Sequence, residues 1–312
     1  MKKILPNEPV ACYQVVHETS YSYQSMVTPS QQYLHLAPRS FAYQNVLQQD
    51  IRIEPLPAER AFNLDYFGKC AETLTITVPH RSLLVRAEFT VALMPRYTLE
   101  QIADSTPWEV VRDTRLPFNP ASTEEPQLFM FPSPHVSWGQ ALTDYALVSY
   151  TPGRPHLDAA LDLTQRIFDD FEFDGEATEI STPLEEVLKG RRGVCQDFAQ
   201  LMIGCLRSLG LAARYVSGYI LTHPPEGQPR MIGADASHAW VSVFCPDYGW
   251  VDFDPTNHCL VQYEHITLGW GRDFSDVTPL RGTVLGGGKH SLQVNVTVTP
   301  LPLVPDNTSA PV

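Results

Sequence analysis

The sequence predicts an α+β protein on three observations. Proline-punctuated runs of Val, Thr, Tyr and Phe fill roughly the first ninety residues, helices with clear ends begin near His156, and alternating strands follow them. A chain of 312 residues corresponds to about two domains at ~150 residues each. Hydrophobic residues at 43% against 18% charged supply enough apolar surface for packed cores and exclude a disordered polyampholyte.

Runs from Tyr13 to Tyr23, Asn45 to Ile53, Thr73 to Val78 and Leu83 to Leu93 read as short antiparallel strands, with prolines 29, 38, 55, 57, 79 and 95 as turns between them. They predict a small β-sandwich or barrel. From Pro95 to Gly153 prolines surround only short helical stretches, Trp108 to Arg112 and Trp138 to Leu147, which suits a connecting region. A helix begins at His156, with Leu157, Ala160, Leu161, Thr164 and Phe168 on one face. Thr182-Pro183-Leu184-Glu185 predicts the start of a short helix, and Gly190 suits its left-handed end. A third helix starts at Cys195, with Phe198, Leu201, Cys205 and Leu209 on one face, and ends at Gly210. Ala213 to Leu221, His238 to Phe244 and Trp250 to Asp254 read as strands, the last two joined by the loop Cys245 to Gly249. Gly286-Gly287-Gly288 is a turn into a strand from Ser291 to Val298 and lacks phosphate-loop spacing.

The formal charge of −13 gives no general attraction to phosphate backbones or anionic lipid, so neither nucleic acid nor membrane is an expected partner. No apolar run approaches the roughly 18 residues a membrane helix needs. Pro6, Asn7, Glu8 and Pro9 interrupt any hydrophobic stretch behind Lys2 and Lys3, and a cytoplasmic location is expected. Six scattered cysteines (Cys12, Cys70, Cys195, Cys205, Cys245 and Cys259) fit reduced thiols better than a disulfide scaffold.

One of those thiols is placed for chemistry. Cys195 opens a helix, where unsatisfied N–H groups favour a thiolate, although Asp197 in the same turn carries an opposing charge. His238 opens the alternating strand HAWVSVF. If Phe244 pairs with Trp250, then His238, Trp240, Asp252 and Asp254 share a face, and Asp254 lies diagonally from His238 at roughly 7–8 Å between Cα atoms. Asp252, opposite Ser242, is further away. A thiol at a helix start, an imidazole and a carboxylate on adjacent strands make a nucleophile, base and orienting group for acyl transfer.

The blocks GVCQDFAQLMIGCLRSLGLAARYVSGY, SHAWVSVF and YGWVDFDPTN resemble the transglutaminase-like superfamily. HETSYSYQ, LHLAPRS and DYFGK are similar to the β-rich N-terminal domain of its bacterial members, and GRDFSDVTPLRGTVLGGGKHSLQV to their C-terminal part. The resemblance implies a β-rich N-terminal domain over 1–95 and a papain-like core with a Cys-bearing helix on an antiparallel sheet over 154–298; the proline-punctuated stretch 96–153 reads as the connection between them, and the proline-rich, polar composition of 299–312 predicts a disordered tail. It places the nucleophile on Cys195, the base on His238 and the carboxylate on Asp254. Related chains often read CQDFAH where this one has Gln200, about 140° around the helix from Cys195, which predicts a tuning effect.

The expected reaction is attack on an amide or peptide-type carbonyl through a thioester at Cys195, with hydrolysis preferred over transamidation to an amine. A binding protein on the same scaffold is the contrasting reading. Gln196 is a candidate oxyanion donor, and Tyr219 and Trp240 are candidate cleft residues, although core packing suits the two aromatics equally well. A zinc site from Cys195, His238, Cys245, Cys259, His258 and His265 lacks any CxxC or HxxxH spacing, so neither metal nor cofactor is expected.

Overall fold

The computed structural model describes residues 8–114, 125–223 and 237–303. Five strands, β1 (Ala11–Leu34), β2 (Gln44–Glu54), β3 (Glu59–Leu64), β4 (Cys70–Ile76) and β5 (His80–Leu93), build the N-terminal part of an antiparallel sheet. Alternation of Val15, His17 and Thr19 into the interior along β1 gives one buried and one more exposed face. Pro29 was expected to end a strand but lies within β1, where the pairings break register between Ser22 and Val27 and between Val27 and Ser30. An irregular pairing tolerates the missing N–H that a regular ladder does not.

Short helices α1 (Leu99–Ile102), α2 (Trp108–Asp113) and α3 (Gln140–Leu147) lead to α4 (His156–Asp170), which buries Leu157, Ala160, Leu163, Thr164 and Ile167. Phe168, expected on that buried face, is exposed instead. Then come β6 (Glu172–Phe173), α5 (Leu184–Gly190), β7 (Arg192–Gly193) and α6 (Cys195–Ser208). Pro183, without a side-chain cap, precedes α5, and its left-handed terminal residue is Arg191 rather than Gly190.

The second sheet comprises β8 (Ala213–Ile220), β9 (Ser237–Cys245), β10 (Gly249–Asp254), β11 (Cys259–Leu260) and β12 (His265–Gly271), ordered β11-β10-β9-β8-β12 and antiparallel throughout. Helix α6 packs on β8 and β9, with Phe198, Leu201, Met202 and Cys205 joining Tyr215, Val241 and Val243 in one core. Tyr219, Leu221, Ile266 and Leu268 join the core of the N-terminal sheet, so the two sheets share an interior.

The chain then returns to where it began. β13 (Leu280–Gly286) and β14 (His290–Leu301) both pair with β1, joined through Gly286, Gly287 and Gly288, all at positive φ. Residues assigned from sequence to the end of the core thus complete the first sheet. β14 runs to Leu301, into the segment expected to be a disordered tail; positions 304–312 lie outside the described residues. Among the described residues no helix is long and apolar enough to cross a membrane.

Candidate functional site

Cys195 is the first residue of α6, and the chain before it is fixed on both sides. Phe173 pairs with Gly193, and the Asp174 amide donates to the Gly193 carbonyl at 2.9 Å. Asp197, whose charge opposes a thiolate, is buried and engaged elsewhere: its Oδ2 accepts from the Val194 amide at 2.8 Å and from the Thr178 hydroxyl at 2.6 Å. It caps the helix that carries the thiol. Position 193 must be glycine for this, since a Cβ there would lie 2.7 Å from Asp197 Oδ2 and 2.9 Å from its Cβ.

The β9–β10 hairpin has the register expected from its five-residue loop, with Trp250 opposite Phe244 and Asp252 opposite Ser242. Asp254, one step beyond the paired residues, reaches His238 diagonally, and His238 Nε2 donates to Asp254 Oδ2 at 2.7 Å. Cys195 lies close enough to His238 for its side chain to help raise the imidazole pKa. With Nε2 committed to the carboxylate, Nδ1 is the nitrogen left for the thiol. The structure therefore brings Cys195, His238 and Asp254 together around one imidazole.

Asp254 is fully buried. Its Oδ2 also accepts from His265 Nε2 at 2.8 Å and Asn257 Nδ2 at 2.7 Å, while Oδ1 accepts from the amides of Thr256 at 2.9 Å and Asn257 at 3.2 Å. Burial alone would raise its pKa, but the bonds from His238 and His265 and the positive charge beside it hold it far below the usual carboxylate range. Burial pulls His238 down, and the bonds and negative charge of Asp254 and Cys195 overcome it, raising His238 to about 10. His265 goes the other way: burial lowers it, and the Asp254 bond recovers only part. One imidazolium and one neutral imidazole thus face a single carboxylate.

His265 and Asn257 are the partners that sequence reasoning missed. His265 lies on β12, two strands away from β9 across β8, so no local pattern relates it to Asp254. Asn257 had a visible signal, following Asp254 by three residues in a turn where an Asx-type bond is common.

The expected cleft residues are placed otherwise. Tyr219 is buried with its hydroxyl joined to His17 Nδ1 at 2.8 Å, between the two sheets, because alternation on β8 turns it away from Gly218, which faces His238. Trp240 is fully buried; its Nε1 donates to Asp252 Oδ2 at 3.2 Å and its ring meets His265 edge-on at 5.2 Å, so it supports the site from below. Asp252 is paired instead with buried Arg96 at 2.7 Å. Gln196 is half-buried beside Cys195. Gln200 is buried, its Oε1 accepting from the Phe274 amide.

The residues weighed as zinc ligands do not assemble as a set. Among the described residues the one group of metal-ligand type is His238, Asp254 and His265, with donor atoms within 4.8 Å of one another. Both Nε2 atoms there donate protons to an ionised carboxylate, so the lone pairs a metal needs are not on offer, and the set fits hydrogen bonding better than coordination. All six cysteines are free. Burial pushes the Cys205, Cys245 and Cys259 thiols up to about 12.

Residues 146–255, which span Cys195, His238 and Asp254, match the transglutaminase-like superfamily, and residues 13–92 match the bacterial transglutaminase-like N-terminal region. The chain belongs to the transglutaminase-like superfamily. An uncharacterized protein of Mycobacterium tuberculosis is 40% identical over 305 residues, 95% of each chain, and one of Mycobacterium leprae 30% identical over 291 residues, 92% of this chain and 98% of the other. The crystal structure of a candidate cysteine protease from Cytophaga hutchinsonii superposes with a TM-score of 0.72 over 94% of this chain and 92% of that one, at 19% identity, a likeness of fold. A protein-glutamine gamma-glutamyltransferase of Pseudomonas aeruginosa is 37% identical over 67 residues, 21% of this chain and 10% of that protein. This transglutaminase-like chain therefore shares more than nine-tenths of its length with the mycobacterial proteins and only a short segment with the Pseudomonas enzyme.

Proposed function

We propose that the protein is a thiol-dependent acyl-transfer enzyme that cleaves an amide or peptide-type bond through a thioester on Cys195. The observation that carries this reading is the 2.7 Å hydrogen bond from His238 to Asp254 with Cys195 beside the same imidazole. His238 already holds the thiol proton as an imidazolium beside the Cys195 thiolate, the sulfur attacks the carbonyl carbon, and the tetrahedral intermediate collapses as His238 gives that proton to the departing amine. Water, deprotonated by His238, then attacks the thioester and frees the acid and the thiol. Asp254 fixes the imidazole with Nε2 protonated and stabilises the imidazolium, in keeping with a His238 pKa raised by its partners. The Cys195 amide, at the start of α6, supplies one oxyanion donor, and half-buried Gln196 is the neighbouring candidate.

A reducing location such as the cytoplasm suits an enzyme whose six cysteines are all free thiols. Transamidation is the second reading, favoured by the short similarity to the Pseudomonas glutamyltransferase. Both reactions share the thioester and differ in what releases it. A glutamine-containing peptide incubated with and without a primary amine, with products read by mass spectrometry, separates them. Hydrolysis gives free acid in both mixtures; an amine adduct dominating the second establishes transamidation, and no product in either counts against acyl transfer on that substrate.

A further inference from the structure

The residue that holds Asp254 from the side opposite the hairpin is itself held by the N-terminal sheet. His265 opens β12 and donates to Asp254 Oδ2 at 2.8 Å. Two residues on, Thr267 pairs with Gly218 of β8 just before the register shifts toward Gly269, and β12 is the last strand in the order of its sheet, so its outer side has no strand of that sheet beside it. The side chain of Gln44, the first residue of β2 and fully buried, fills that gap: its Nε2 donates to the Thr267 carbonyl at 2.7 Å and its Oε1 accepts from the Thr267 amide at 2.9 Å. One amide side chain thus stands in for a neighbouring strand. The Lys69 stem lies so close against Gly269 that any Cβ there would overlap it, and Lys69 Nζ donates to the Asp276 carbonyl. The same Gln44 also donates to the Arg39 carbonyl at 3.0 Å, which ties it into its own module.

We infer that the N-terminal sheet belongs to the positioning apparatus of the candidate triad, with Gln44 fixing β12 so that His265 can hold the Asp254 carboxylate in line with His238. The inference rests on the proposed roles of Cys195, His238 and Asp254. His265 is a positioning residue: it touches neither sulfur nor substrate and acts through Asp254. A neutral imidazole suits that task, because it donates one proton and adds no second positive charge beside His238. Burial keeps His265 in that form.

The test uses the full chain and four variants. His265→Gln keeps an N–H donor near the Nε2 position, and His265→Leu removes it; Gln44→Glu keeps the acceptor for the Thr267 amide but sets a carboxylate against its carbonyl, and Gln44→Leu removes both bonds. The readout is the rate of Cys195 alkylation by iodoacetamide at neutral pH, followed by peptide mass mapping, with circular dichroism as the check on folding. His265→Leu should slow alkylation by about 10-fold or more, as loss of a hydrogen bond to a charged group implies, while His265→Gln stays within about 3-fold of the wild type. Gln44→Leu and Gln44→Glu should each slow it by about 3- to 10-fold with folding retained. Equal losses in His265→Gln and His265→Leu, or a wild-type rate in either Leu variant, overturn the inference. If His265→Leu does not fold, Gln44→Leu, which contacts no triad residue, carries the test alone. Wild-type Cys195 reacting no faster than glutathione would instead refute the triad itself, before any variant is compared.

Discussion

Asp254→Asn replaces one oxygen by an amide nitrogen at the point where five hydrogen bonds converge. Oδ1 takes the amides of Thr256 and Asn257, and Oδ2 takes His238, His265 and Asn257 Nδ2. Every one of those partners is a donor, so an NH2 group in either position opposes at least two of them. Two lost bonds to a charged group cost about 3–6 kcal/mol, which for a chain of this size lowers the melting temperature by roughly 10 °C. If the NH2 faces the imidazoles, His238 Nε2 becomes an acceptor and its proton moves to Nδ1, the side that faces Cys195. That tautomer cannot receive the thiol proton, and amide turnover should fall by about 10⁴-fold. The variant also loses a pH dependence. Because His238 is raised from 6.5 to about 10, its contribution to stability is complete below pH 6.5 and disappears as pH climbs through about 10; Asp254→Asn should flatten that alkaline limb. Thermal melts from pH 6 to 11 and the alkylation rate of Cys195 make the assay. An Asp254→Asn protein that melts with the wild type and alkylates Cys195 at the wild-type rate would refute the reasoning.

Gly193→Ala should push Asp197 out of its capping position and cost about 1–2 kcal/mol, with slower Cys195 alkylation, since the new Cβ meets Asp197 Oδ2 at 2.7 Å; urea unfolding checks the first and peptide mapping the second. Three buried histidines, His17, His35 and His156, are lowered to about 4, burial being the largest cause in each case. The unfolded chain takes up protons at these sites between pH 6.5 and 4 while the folded one does not, so stability should rise with pH across that window, by up to ~4 kcal/mol per pH unit where all three contribute. Urea titrations at pH 5 and pH 7 measure it, and His156→Gln should reduce the slope by about a third; an unchanged slope would contradict the burial argument.

The hairpin of the candidate triad was legible because a five-residue loop between alternating strands sets the register, and register then decides which carboxylate faces the imidazole. Asp254 rather than Asp252 follows from that alone. What was not legible depends on strands distant in sequence. His265 reaches Asp254 only because β12 lies beside β8, and Tyr219 could not be assigned to cleft or core until the face of β8 covered by the N-terminal sheet was known. The glycine turn at 286–288 announced β14, yet nothing local says that β13 and β14 pair with β1 over two hundred residues earlier in the chain. Gln44 carried no signal at all in the sequence, since its two bonds to Thr267 exist only where two modules meet.

The central claim is an acyl thioester on Cys195 formed with the help of His238. Mixing the protein with p-nitrophenyl acetate, quenching in acid and mapping the acetyl group by peptide mass spectrometry tests it most directly. The account predicts a hydroxylamine-labile acetyl group on Cys195, absent in Cys195→Ala and formed much more slowly in His238→Ala. Acetylation elsewhere with Cys195 unmodified, or an equal rate at Cys195 in His238→Ala, would contradict it.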